Sequence, residues 1–91
     1  MMNQVVLVGR LSKELQDKDL YIAVPRQYRN EDGEYETDII KCIVKDTMIE
    51  NINNYCKVGD VIAIKGRMES NNNSQDIIVE KITFLAQRTE K

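Results

Sequence analysis

Ile39, Lys41, Ile43 and Lys45 alternate along a run whose intervening residues, Ile40, Cys42 and Val44, are all apolar. In an extended chain successive side chains point to opposite faces. One face of this run is therefore core, and the other sets two ammonium groups among apolar stems. Such a face is partly covered and holds negative charge. An ordinary amphipathic strand with its lysines in solvent would read the same way, and the strand alone does not separate the two.

Chemistry that makes or breaks bonds has no comparable signal. The chain has no histidine, so the commonest general acid/base and metal ligand is missing. Cys42 and Cys56 are too few for a disulfide framework and lack the spacing of a metal site. Both read as reduced packing residues, Cys42 in the core and Cys56 on a helix face. Neither a nucleophile elbow nor a phosphate-cradling glycine loop is present. The expectation is a binding protein and not an enzyme, with no cofactor and no metal.

Thirteen basic residues against 15 acidic give a net charge of −2. The pI near 5.1 is not that of a generic polyanion binder. Any basic site must be a local patch. With 91 residues the chain is one domain with room for one modest core. Its apolar runs are too short to span a bilayer, and no basic region precedes the first of them, so no secretory signal is read. A cytoplasmic location without membrane contact is expected.

The elements that must position the Ile39–Lys45 run follow from periodicity. Asn3–Leu11 is a strand that is apolar on both faces, with Val5, Leu7 and Leu11 opposite Val6 and Val8, and it is expected to curl at Gly9. A polar loop over 12–19 leads to a second strand from Leu20 to Val24, ended by Pro25. Asp32-Gly33 suits a hairpin turn, so the segment from Arg26 to Tyr35 makes an antiparallel arm. The third strand runs from about Glu36 to Lys45. Thr47 and Glu50 fit a capping box, opening a short helix with Met48, Ile49, Ile52, Tyr55 and Cys56 at helical spacing and Gly59 as its stop. The fourth strand runs from Asp60 to about Glu69 with a bend at Gly66, and residues 70–75 form a mobile hairpin tip. The fifth, Asp76 to Leu85, places Ile78, Ile82 and Phe84 on one face and Ile77, Val79 and Lys81 on the other. Residues 1–86 make the domain and 87–91 a polar tail. The predicted fold class is all-β: a five-stranded OB-fold Greek-key barrel with one short helix between strands 3 and 4.

Five segments carry a family resemblance. They are Asn3-Gln4-Val5-Val6-Leu7-Val8-Gly9-Arg10-Leu11, Thr37 to Val44, Glu50-Asn51-Ile52 leading to Tyr55-Cys56-Lys57-Val58-Gly59-Asp60, Ile64 to Met68, and Ile77 to Leu85. In this order they resemble the DNA-binding domain of bacterial and phage single-stranded DNA-binding proteins, across nearly the whole chain. The resemblance implies sequence-tolerant binding of single-stranded DNA in replication, recombination or repair. Bases would stack on Tyr28, phosphates would meet Arg26, Arg29, Lys41, Lys45 and Arg67, with Arg10 as a further contact, and Ile39 and Ile43 would floor the bases. Tyr28 on its arm could equally pack against a neighbouring subunit. The resemblance also implies a homodimer or homotetramer assembled through strand one, and replication proteins as partners.

Three departures from the family pattern accompany it. No tryptophan occurs, and Ile39 and Lys45 stand where the family places aromatics. The connection between strands one and two is shorter than usual, and the long tail with an acidic tip that recruits partners in the family is expected to be missing. Each base–aromatic stack contributes roughly 1–3 kcal/mol, so the expectation is weak, strongly salt-dependent binding. The alternative is an OB module similar to the primosomal replication protein, whose task is docking replication machinery.

Overall fold

Every second residue of the extended runs turns toward one interior. Leu20 and Ile22 on one strand, Cys42 and Val44 at the end of another, Ile62 and Ile64 on a third and Val79 on a fourth are all fully buried. The structure, a computed structural model, describes residues 1–86; the polar tail expected at 87–91 lies outside the described residues. Its elements are β1 (Val5–Leu11), β2 (Asp19–Arg29), β3 (Tyr35–Ile43), α1 (Asp46–Tyr55), β4 (Val61–Asn71) and β5 (Ser74–Ala86). The strands close into a barrel in the order β1-β2-β3-β5-β4. All neighbours are antiparallel except β3 and β5, which seal the barrel in parallel through Cys42↔Ile77 and Ile43↔Ile78. This is the OB-fold barrel with its single helix between strands 3 and 4.

Two glycines mark where the barrel wall bends. β1 pairs with β4 from Val5 to Arg10 and meets β2 only at Arg10 and Leu11. At Gly9 an added Cβ would run into the carbonyl of Ala23, so the wall closes there only without a side chain. Gly66 has the same relation to the carbonyl of Ile78. It also adjoins a bulge: Lys65 pairs with Lys81 and Gly66 with Val79, leaving Glu80 as the extra residue. The bulge inverts the alternation of β5. Ile77, Val79 and Ile82 pack on the core, whereas simple alternation had set Ile82 with Ile78, opposite Ile77 and Val79.

Other local signals resolved differently from their sequence reading. The capping box at Thr47 and Glu50 does not form. Val44 donates its N–H to the carbonyl of Lys18 at 2.9 Å, which keeps the chain extended through Lys45. Lys45 is the N-cap, without a side-chain bond, and the helix starts at Asp46, one residue ahead of the expected box, so that Thr47 already lies within the first turn. α1 ends at Tyr55 with Cys56 as C-cap, while Gly59, at φ +96°, serves the turn into β4. The polar stretch over 70–75 is not a long tip. Asn72 and Asn73, at φ +48° and +68°, make a two-residue turn between Asn71 and Ser74, the geometry of a type I′ hairpin. In β1, Leu11 is buried while Val6 and Val8 remain 60% and 49% exposed, so the second apolar face is uncovered in the single chain. No helix among the described residues is long and apolar enough to cross a membrane.

Candidate nucleic-acid interface

Directly opposed residues on paired strands project from the same face. The register therefore lays out the barrel's outer surface in rows. One row sets Arg10 of β1 beside Ala23 of β2 and Ile39 of β3. The next sets Tyr21 of β2 beside Lys41 of β3. A third runs from Asp19 through Ile43 and Ile78 to Arg67. Ile39, Lys41, Ile43 and Arg67 thus share one continuous outer face. Ile39 is 55% exposed, a large apolar side chain left in water with an ammonium group two residues away. Lys41 and Lys45 are exposed, and neither makes an ion pair among the described residues. Lys45 lies beyond the end of β3, at the start of α1.

The arginines differ from the lysines. Arg26 follows the parity of Leu20, Ile22 and Val24, so it leaves the arm on the side opposite Ile39 and Lys41. There it donates to both carboxylate oxygens of Asp38 and, at 2.5 Å, to Glu36. The bond from Arg26 holds the Asp38 carboxyl below its ordinary range, and the same contact raises the guanidinium further. Arg67 is held by Glu69 and, at 3.1 Å, by Glu80, which raises its pKa in turn. Arg10 donates to the carbonyl of Gly59 at 2.8 Å. Arg29 rests 5.4 Å from the ring centroid of its cross-strand neighbour Tyr35, and Tyr28 is 68% exposed. Arg26, Tyr28 and Arg29 stand on the arm, apart from the Ile39–Lys41–Ile43 face. Desolvation pushes the thiols of Cys42 and Cys56 up to about 11, as packing residues require.

Sequence reasoning did not single out three residues of the outer face. Tyr21 shows its outward direction in the alternation of β2, but its position beside Lys41 depends on register. Lys13, in the loop after β1, holds its ammonium 4.1 Å from the Tyr21 ring centroid, and no local pattern signals that contact. Ile78 lies between Ile77 and Val79, which pack on the core, and so turns outward beside Arg67, but which face of β5 is the outer one is fixed by register.

Residues 2–85 match the model of the single-strand binding protein family. The chain belongs to that family. Single-stranded DNA-binding protein 1 of Streptococcus pyogenes serotype M18 is 33% identical, across 97% of this chain and 82% of its own length. The single-stranded DNA-binding protein of Bacillus cereus is 35% identical across 97% of this chain, which spans 62% of that protein. Among solved structures, a Plasmodium falciparum SSB in complex with ssDNA has a TM-score of 0.68 at 18% identity, covering 93% of this chain and 96% of that one. The dimeric N-terminal domain of PriB from Thermoanaerobacter tencongensis has 0.70 at 20%, covering 93% and 98%. These two share the fold.

Proposed function

We propose that residues 1–86 bind single-stranded DNA, weakly and without sequence preference, across the outer face of β2, β3 and β5. The observation that carries this reading is the exposed Ile39 beside Lys41, which has no ion-pair partner among the described residues, in a family whose relatives are named for single-stranded DNA binding. Apolar side chains floor the bases, and Arg29, Lys41 and Lys45 meet phosphates, while Tyr28 stacks a base on the arm. Arg26 and Arg67 already neutralise carboxylates and add little. Each phosphate neutralised on a single strand contributes about −0.7 to the slope of log K against log salt, so three contacts give about −2.

The protein serves replication, recombination or repair in the cytoplasm as a homodimer or homotetramer through β1. Val6 and Val8 supply the exposed apolar surface. From Val5 to Val8 the strand is paired, among the described residues, on its β4 side only, an open edge suited to a second copy. Light scattering tests this part, and a monomer counts against it.

A docking module like the primosomal protein is the second reading, favoured by the carboxylates that neutralise Arg26 and Arg67. Anisotropy of labelled oligothymidine, titrated at about 20 and 200 mM salt, decides between them. Binding that fades with salt supports the first, whereas no binding at low salt with high micromolar protein removes it and leaves the second.

A further inference from the structure

Tyr21 is a half-buried aromatic on the outer wall of a barrel whose core, among the described residues, takes aliphatic side chains and Cys42 from the strands around it. Alternation turns its ring outward, and its carbonyl accepts the N–H of Ser12 at 2.9 Å. That bond brings the loop after β1 across β2. Lys13, the next residue, can then set its ammonium over the ring. On the other side the register places Lys41 directly opposite. Two residues along β2, Ala23 stands beside Ile39. A methyl group between the Tyr21 ring and the exposed Ile39 makes a shallow floor, with a cation at each flank of the ring.

From this arrangement we infer that Tyr21 is a base-stacking platform for a single nucleotide unit of the DNA strand. Lys13 covers the ring when the site is empty and moves to the adjoining phosphate when a base is stacked. The inference rests on the single-strand binding reading above and adds to it a second aromatic, on the body of the barrel. The chemistry fits each part. Any nucleobase offers a π-face to a tyrosine ring, so the contact is sequence-tolerant. A lysine ammonium over a half-buried ring on the barrel's outer wall is a weak contact that a base can displace, and its flexible stem lets the charge stay near the strand. Lys41 needs no rearrangement to meet the phosphate on the opposite flank.

Tyr21→Leu, Tyr21→Phe and Lys13→Ala, titrated with oligothymidine at about 20 mM salt and above, test the inference. Leucine keeps apolar bulk on the strand without a π-face and should weaken binding by roughly 5- to 150-fold. Phenylalanine keeps the ring and should bind as the parent does. Lys13→Ala should lower the magnitude of the salt slope by about 0.7. In the unaltered protein, irradiation of oligothymidine carrying 5-iodouracil should attach it to the peptide containing Tyr21, a readout that does not depend on a variant folding. Parental affinity in a folded Tyr21→Leu protein, or crosslinks confined to Tyr28, overturns the platform and leaves DNA binding standing. Failure of the parent protein to bind overturns both.

Discussion

Arg26 donates to both oxygens of Asp38, from Nε at 3.1 and 3.2 Å and from Nη2 at 2.9 Å, across a pair of strands in which Asp38 stands opposite Val24. The pair joins β2 to β3 at the base of the arm and leaves the Arg26 guanidinium already neutralised by a carboxylate. The folded Asp38 carboxyl is depressed below 3.8, first by the bond from Arg26. A depressed carboxylate stabilises the fold above its unfolded pKa, and that contribution is lost as pH falls through the folded value. In a carbon-detected NMR titration, Asp38 should therefore protonate at lower pH in the parent than in Arg26→Ala. Coincident titrations would mean that the pair does not persist in solution.

The positions of these carboxylates explain how far the sequence could be read. Faces were legible wherever alternation runs unbroken: Leu20, Ile22 and Val24, or Ile40, Cys42 and Val44, face the core as their spacing requires. The same signal correctly set Ile39, Lys41 and Ile43 outside. Partners across strands were not legible, because Arg26–Asp38 and Arg67–Glu80 depend on register and on a bulge that no single run encodes. Thus Arg26 and Arg67 looked as available as Lys41. Asn72-Asn73 carried a usable signal, since asparagine tolerates positive φ better than most residues. It was submerged in a stretch that is polar throughout.

Gly66 should resist substitution although it needs no unusual φ. Its hydrogen faces the carbonyl of Ile78 and the Cα of Val79, backbone atoms that cannot swing aside. Gly66→Ala should lower unfolding free energy by about 1–3 kcal/mol, the usual effect of overpacking. Urea denaturation measures it, with Gly33→Ala as a comparison whose Cβ meets open space and whose strain comes from φ +79° alone. A Gly66→Ala protein as stable as the parent would show that the barrel wall relaxes there.

Ile52 is the one fully buried side chain of α1 and joins the helix to the barrel core. Met48 and Ile49 pack beside it but only partly buried. Ile52→Ala should cost about 2–5 kcal/mol. Circular dichroism during urea unfolding should show helix and sheet signals lost together, because the helix has no side-chain N-cap to hold it alone. A loss well under 1 kcal/mol would place α1 outside the cooperative core.

Lys41 and Arg67 carry the same charge on the same outer face, yet they should behave differently toward DNA. Lys41 has no ion-pair partner among the described residues, whereas Arg67 is flanked by Glu69 and Glu80. Counterion release follows the cations that neutralise phosphate, and an arginine already paired with carboxylates releases few. Lys41→Ala should reduce the magnitude of the salt slope by about 0.7 and weaken binding most at low salt. Arg67→Ala should leave the slope near the parental value, because the charge removed was not meeting a phosphate. In the complementary variant, Glu80→Gln, Arg67 loses one of its two carboxylates and should gain affinity that disappears as salt rises. Titrations of the three variants at matched ionic strengths compare these slopes directly. Equal slopes for Lys41→Ala and Arg67→Ala would mean that DNA displaces Glu69 and Glu80, and that Arg67 belongs among the phosphate contacts after all.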